Sequence, residues 1–162
     1  MPPTLNMWAN WYIAQWDYYI QFSPFARNHA LMQTVSDPIV VFKLPNEKAY
    51  ARFRELMQLL DAMILDVITL QYHPRVIIAS TLYVLLAFHY GVASKDEIAT
   101  AFSQNSHFLT VWHPFNDLFN NFLVQCFGFQ LHELLPTIQY VSTYMLLPFD
   151  YQPPNYEPTE KV

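Results

Sequence analysis

The sequence predicts an all-α domain, a bundle of helices around one central apolar helix, with a long loop after the first helix and an extended C-terminal tail. Two Gly against twelve Pro in 162 residues disfavour hairpin turns and favour helices separated by Pro-marked loops. Hydrophobic residues make up 53% of the chain and charged residues only 13%, which indicates a large apolar core. Residues 76–90 form an uncharged, mostly apolar run, and a helix that is apolar on nearly every face belongs inside a bundle.

The first helix is predicted over Thr4–Phe22. Two prolines precede Thr4, which is a favourable N-cap residue. Apolar side chains recur at helical spacing and two more aromatic residues widen the stripe: Leu5, Trp8, Tyr12, Trp16 and Tyr19, with Trp11 and Tyr18. Two interpretations of these aromatic residues are open, a wide core face or a surface that binds a partner. The candidates for a partner surface are Trp8, Trp11, Trp16 and Tyr18.

A long connection, residues 23–46, follows the first helix and is interrupted by three prolines. We expect a loop insertion here, with a short helical turn near residues 29–35. The second helix is predicted to begin at Asn46 as its N-cap and to end at His73-Pro74, because the residue before a proline is pushed out of the α region. Its predicted inward face comprises Tyr50, Phe53, Met57, Leu60, Ile64, Val67 and Ile68.

The third helix is the predicted central one, with Pro74 at its first position and Gly91 closing it. Ala79 and Ser80 lie at its middle, and their small side chains predict a point where another helix crosses closely. The uncharged run within this helix is about 15 residues long, short of the roughly 20 that a membrane span needs. We therefore predict a core helix and no membrane span.

Local signals place two further helices. Ser94 and Glu97 have the spacing of a capping box and predict a short fourth helix over residues 95–103. A fifth helix is predicted over residues 111–127, with Gly128 closing it. The predicted inward stripe of the fifth helix comprises Phe115, Leu118, Phe119, Phe122 and Cys126.

The C-terminal part of the chain is predicted to be an extension of the bundle. Pro136 interrupts an apolar segment, so a short sixth helix is expected only near Thr137–Leu146. Four later prolines predict an extended tail. The predicted division is a helical domain over residues 1–129, which includes the loop insertion, and an extension over residues 130–162 that holds the short helix and the Pro-rich tail.

The sequence shows no readable catalytic, cofactor or metal site. The six His show no i,i+4 pairing, and two Gly provide no phosphate-binding loop. Asp61 and Asp66 are five apart on the second helix, which points their side chains in different directions. Cys126 lies within an apolar stripe and is predicted to be an inert core thiol. We predict that the chain is not an enzyme and binds neither a cofactor nor a metal ion.

The charge balance bears on partners and compartment. Eight Lys and Arg against thirteen Asp and Glu give a formal charge of −5, which disfavours binding to a nucleic-acid backbone. The single cysteine cannot form an internal disulfide, so a reducing, intracellular compartment is expected.

Part of the chain resembles a known family. Residues 59–67, then Tyr72 and Pro74, then residues 78–83 are similar to the second and third helices of the C-terminal cyclin box in the cyclin family, most closely to cyclin E. The start of the first helix and Trp112 resemble the openings of that box's first and last helices. The resemblance covers roughly residues 4–22 and 47–127 and implies a five-helix cyclin box.

The resemblance also implies a function. A cyclin is a regulatory subunit that activates a cyclin-dependent kinase allosterically during the cell cycle, in the nucleus or cytoplasm, and contributes no catalytic residue. The cyclin N-terminal box, which makes most kinase contacts, resembles nothing in this chain. We therefore expect either a fragment of a larger cyclin or a divergent single-box protein.

A second hypothesis is an interaction module that binds no kinase, suggested by the aromatic first helix, the long loop and the Pro-rich tail. Nucleic-acid binding, suggested by related repeats in transcription factor IIB, is a third and weaker hypothesis.

Overall fold

The structure is a computed structural model, and it describes residues 4–33, 46–64, 72–89, 94, 96–98 and 113–146. The regular elements in these ranges are all helical, which confirms the all-α prediction for this part of the chain. The α-helices are α1 (Leu5–Phe22), α2 (Pro24–Asn28), α3 (Ala30–Gln33), α4 (Asn46–Ile64), α5 (Pro74–His89), α6 (His113–Phe127) and α7 (Leu135–Ser142). Two 3₁₀ segments, Leu131–Leu134 and Thr143–Leu146, flank α7.

Helix α5 occupies the centre of the bundle. Every side chain from Ile77 to Ala87 is buried, and α1, α4 and α7 all pack against this helix. The two hydroxyl groups in this stretch remain within the helix, because Ser80 Oγ donates to the Val76 carbonyl at 2.8 Å and Thr81 Oγ1 donates to the Ile77 carbonyl at 2.7 Å. Burial of these hydroxyls therefore leaves no unpaired donor.

The helix ends follow the local sequence signals. The Met7 N–H donates to Thr4 Oγ1 at 3.2 Å, as expected of an N-cap. The predicted capping box is present, because the Glu97 N–H donates to Ser94 Oγ at 3.1 Å and the Ser94 N–H donates to Glu97 Oε1 at 3.3 Å. Gly128 closes α6 with a φ of 77°, a left-handed conformation that favours glycine.

Helix α4 begins where the sequence predicts, but its buried face is rotated from the predicted one. The fully buried side chains follow an i, i+3, i+4, i+7 pattern: Leu56, Leu59, Leu60 and Met63. Phe53 and Met57, two members of the predicted inward face, are only partly buried. Apolar side chains line two adjacent stripes of α4, and the stripe with more leucines faces the core.

The predicted division at residue 129/130 stays a prediction, but the described part of the extension, residues 130–146, packs into the core of the bundle. Helix α7 packs against α5, and its flanking segments contribute to the same hydrophobic cluster: Leu131, Leu134, Ile138, Val141 and Met145. Pro136 does not interrupt a helix here. It lies in the first turn of α7, where its missing N–H has no intrahelical partner to lose.

Several predictions reach beyond the described residues. The insertion contains α2 and α3 in its first part, and α3 corresponds to the short helical turn expected near residues 29–35. The later part of the insertion, residues 34–45, lies outside the described residues, as do Gly91, Trp112 and the Pro-rich tail. Of the predicted fourth helix, residues 96–98 are helical and Ile98 is fully buried.

Because α5 is central, we predict that a larger side chain at one of its small residues destabilises the fold. Ala79 is fully buried there, so we expect Ala79→Leu to overpack the core and to lower the free energy of unfolding by about 1–3 kcal/mol. Urea denaturation followed by circular dichroism measures this loss. Ala30→Leu, at an exposed position of α3, is the matched control and should change stability little. Equal stability of the two variants would show that Ala79 tolerates a larger side chain.

Three tyrosine hydroxyl groups are buried in the core. Tyr83 Oη donates to Asn116 Oδ1 within the α5–α6 interface, and both residues are buried. Burial raises the pKa of Tyr83 far above its ordinary value, and burial likewise raises the pKa of Tyr12 and of Tyr19. In the folded chain these hydroxyls therefore keep their protons under conditions where unfolded tyrosines lose them.

We predict that this burial causes alkaline destabilisation. A raised folded-state pKa contributes stability that is complete below the unfolded pKa of about 10 and that is lost as the pH rises above it. Urea midpoints measured from pH 8 to pH 11 should fall above pH 10. Tyr83→Phe removes one of the three buried hydroxyls. Its urea midpoint should therefore fall less steeply with pH than that of the original chain. Parallel pH profiles for the two chains would contradict the prediction.

Candidate interaction surface

The solvent face of α1 is apolar. The side chains that α1 exposes are Met7, Asn10, Trp11, Ala14, Tyr18 and Phe22, of which only Asn10 is polar and none is charged. The apolar five, which we call the α1 stripe, lie within an arc of about 80° at 3.6 residues per turn. An amphipathic helix of a monomer normally places polar side chains on this face.

The opposite face of α1 is anchored in the core. Tyr12, Trp16 and Tyr19 are almost fully buried there. Tyr12 Oη donates to the Arg75 carbonyl at 3.1 Å, and Tyr19 Oη lies 2.8 Å from Asn121 Oδ1 and 3.1 Å from the Leu118 carbonyl, so it donates to α6. These bonds fix the rotation of α1 relative to α5 and α6, and hence which residues face solvent.

Arg75 holds one end of α1 against the end of α6. Its guanidinium carbon lies 5.9 Å from the centre of the Trp8 ring and 5.8 Å from that of Phe129, in cation–π contact with both. Its Nη2 donates to the Phe127 carbonyl at 3.3 Å. A single side chain at the start of α5 thus connects α1 to the residues that close α6.

The exposed rings of the stripe are supported by other rings. Trp11 packs edge-on against Phe127 at 5.4 Å and lies 5.8 Å from Trp8. Tyr18 and Phe22 contact each other at 4.7 Å between ring centres. Rings that are held in place before binding lose less conformational entropy when a partner covers them. The α1 stripe is therefore a preorganised apolar surface.

A shallow groove of about 690 Å³ lies between α2 and the first turns of α6. The residues that line it are Pro24, Phe25, Asn28, His29, Ala30, Pro114 and Asp117. His29 Nε2 and Asp117 Oδ2 are 2.9 Å apart, and the Leu31 N–H donates to His29 Nδ1 at 3.1 Å, so Nε2 is the nitrogen that carries the proton towards Asp117. The pair therefore connects the end of α2 to the start of α6.

The four aromatic residues predicted as a partner surface separate into three environments. Trp11 and Tyr18 lie in the α1 stripe, with 45% and 64% of their surface exposed. Trp8 is half-buried in the Arg75 contact. Trp16 is fully buried against Phe119 and Phe122, so its assignment to a partner surface is corrected to the core.

The other predicted site, the helix crossing, lies in the centre of the fold. Ala79 and Ser80 are both fully buried in α5. The sequence interpretation missed Met7 and Phe22, which are 61% and 52% exposed. Their spacing from Trp11 and Tyr18 is helical and could have identified a second apolar stripe on the same helix.

Neither a metal-binding cluster nor a helix that could span a membrane occurs among the described residues. Within them, no group of three or more His, Cys, Asp or Glu side chains is placed to hold a metal ion. None of the helices in the described ranges is long and apolar enough to cross a membrane. Burial raises the pKa of the Cys126 thiol, which favours the protonated, less reactive form.

Comparisons with known proteins do not add a relative. No protein-family model, no curated protein and no solved structure matches this chain. The resemblance to a cyclin box therefore remains a prediction from the sequence.

The Arg75 contact makes a prediction about α1. Arg75→Ala removes the bond to Phe127 and both ring contacts, so we expect the free energy of unfolding to fall by about 2 kcal/mol. Arg75→Lys keeps the charge but lacks the planar guanidinium, so its free energy of unfolding should lie between those of the original chain and Arg75→Ala. Urea denaturation measures all three chains. An Ala variant as stable as the original would show that this contact contributes nothing.

Proposed function

We propose that this chain is a regulatory, non-catalytic subunit of the cyclin type, or the C-terminal fragment of one, that supports the allosteric activation of a cyclin-dependent kinase in cell-cycle control. Support comes from the segment that resembles the cyclin family. Leu59 and Leu60 of α4 and residues 78–83 of α5 are all buried in the core. These buried members of the matching segment belong to the packed centre of the fold, so this part of the resemblance concerns the scaffold itself.

The mechanism in this proposal is binding. The chain would pack against the kinase and favour its active arrangement, because a ligand shifts a conformational equilibrium by its differential affinity for the two states. Catalytic groups would come from the kinase alone. The resemblance implies work in the nucleus or cytoplasm.

Co-purification tests this proposal. The tagged intact protein that contains this chain, expressed with each cyclin-dependent kinase in turn, should retain at least one of them and raise its phosphorylation of a protein substrate. The chain alone should transfer no phosphate, and the kinase alone sets the basal rate. If every kinase tried neither co-purifies nor gains activity, the cyclin-type function is ruled out.

A second candidate function is a complex subunit on a cyclin-like fold that binds no kinase. The α1 stripe favours it, because the resemblance assigns most kinase contacts to a different box and gives this surface no role. An isolated complex that contains this chain and no kinase would support this candidate, whereas kinase activation by the chain would support the first.

A further inference from the structure

We propose that the α1 stripe pairs with the α1 stripe of a second copy of this chain, with the two helices antiparallel. The inference goes beyond the proposed function, because self-pairing needs neither a kinase nor any other protein. Four observations support it: the apolar area of the stripe, its lack of charge, its spacing, and the alternation of large and small side chains along it.

The exposed area is of the size that a dimer needs. Trp11, Tyr18 and Phe22 are about half exposed, and an aromatic side chain offers about 150–250 Å². With Met7, these side chains therefore expose on the order of 400 Å². The largest apolar patch of a typical monomer is roughly 300–600 Å² and is often functional.

The area can be compared with that of a standard interface. Each copy buries roughly 800 Å² there, of which about 65% is apolar in homodimers, so the stripe supplies most of that apolar share.

The charge pattern allows the stripe to face itself. In a two-fold symmetric pair the same patch contributes from both copies, so any charge at its centre would meet a like charge. The α1 stripe carries none, and Asp17 is the only charged residue in α1. In the pairing described below, the two copies of Asp17 are separated by nine positions, about 13 Å along the axis.

The spacing of the stripe is that of a short coiled-coil seam. Met7, Trp11, Ala14 and Tyr18 are separated by four, three and four residues, the alternation of core positions in a heptad. A parallel pair would place identical residues opposite each other. Trp11 would then face Trp11 while Ala14 faced Ala14, which combines overpacking in one layer with a void in the next.

An antiparallel pair resolves this mismatch. With the two-fold axis between positions 12 and 13, Trp11 of each copy lies opposite Ala14 of the other, and Met7 lies opposite Tyr18. A large side chain then fills the space above a small one, and the Met7 sulfur meets an aromatic ring, a favourable contact. The antiparallel arrangement therefore follows from the order of side chains along the stripe.

The first experiment measures mass in solution. Light scattering after size exclusion should show a concentration-dependent dimer of the full chain. Trp11→Glu places a charge in the seam and should raise the dimer Kd about 30-fold or more. Gln139→Glu, an exposed change of the same charge on α7, is the matched control and should leave the Kd unchanged. Circular dichroism establishes that both variants are folded.

The second experiment tests the orientation by disulfide formation in a Cys126→Ala background. Met7→Cys and Tyr18→Cys chains should cross-link when mixed, whereas neither should cross-link with itself, because the two copies of either position lie about 16 Å apart along the axis. A parallel pair would give the opposite result.

Three results would overturn the inference: a chain that stays monomeric at high concentration, a dimer that Trp11→Glu does not weaken, or cross-links within each variant and none in the mixture. A chain that stays monomeric and binds another protein through the α1 stripe would also overturn the inference. The outcome is separable from that of the proposed function, because a monomer that activates a kinase refutes only the pairing, and a dimer that activates none refutes only the kinase role.

Discussion

The burial of α5 is the constraint on which the rest of the fold depends. Six large aliphatic side chains between Ile77 and Leu86 are buried, each worth about 1.5–3 kcal/mol relative to exposure. Their sum, on the order of 10 kcal/mol, is comparable to the whole net stability of a typical domain. No side of α5 can therefore be left to solvent without loss of the fold, and this requires α1, α4 and α7 around it. The same requirement explains why the described part of the C-terminal segment packs into the core.

Polar groups give this apolar assembly its specific arrangement. Apolar contact alone would permit α1 to rotate by one residue, since aromatic side chains occupy both of its faces. Only one rotation of α1 allows the hydroxyl bonds of Tyr12 and Tyr19 and the contacts of Arg75 to form together. Among the described residues no acidic or basic side chain is fully buried, so this specificity comes from neutral groups and one partly exposed guanidinium. Neutral bonds cost less to bury than ion pairs do.

The parts of the fold that sequence predicts well are those set by local chemistry. The Thr4 N-cap, the Ser94–Glu97 capping box and the Gly128 terminus depend on residues within one turn of each other, so spacing alone defines them. The choice between adjacent apolar stripes is different, because it depends on what packs against the helix. Trp16 and Trp11 are equally apolar in sequence, yet one is buried and the other half-exposed, and the same ambiguity misplaced the centre of the α4 face. In sequence, Pro136 is compatible with the end of one helix or the start of another. The packing of α7 on α5 decides for the start of a helix.

The composition of the chain is explained by this double use of aromatic residues. A fraction of 53% hydrophobic residues is high for one domain, and α1 shows where part of the excess lies, because it presents apolar side chains to the core and to solvent at once. An outward stripe of this kind increases aggregation unless something covers it in a defined way. The single small residue at its middle, Ala14, distinguishes the stripe from a uniformly aromatic surface, since it presents no large side chain between Trp11 and Tyr18. Shape as well as hydrophobicity is therefore encoded on the outer face of α1, and shape is what a specific partner requires and a random apolar contact does not.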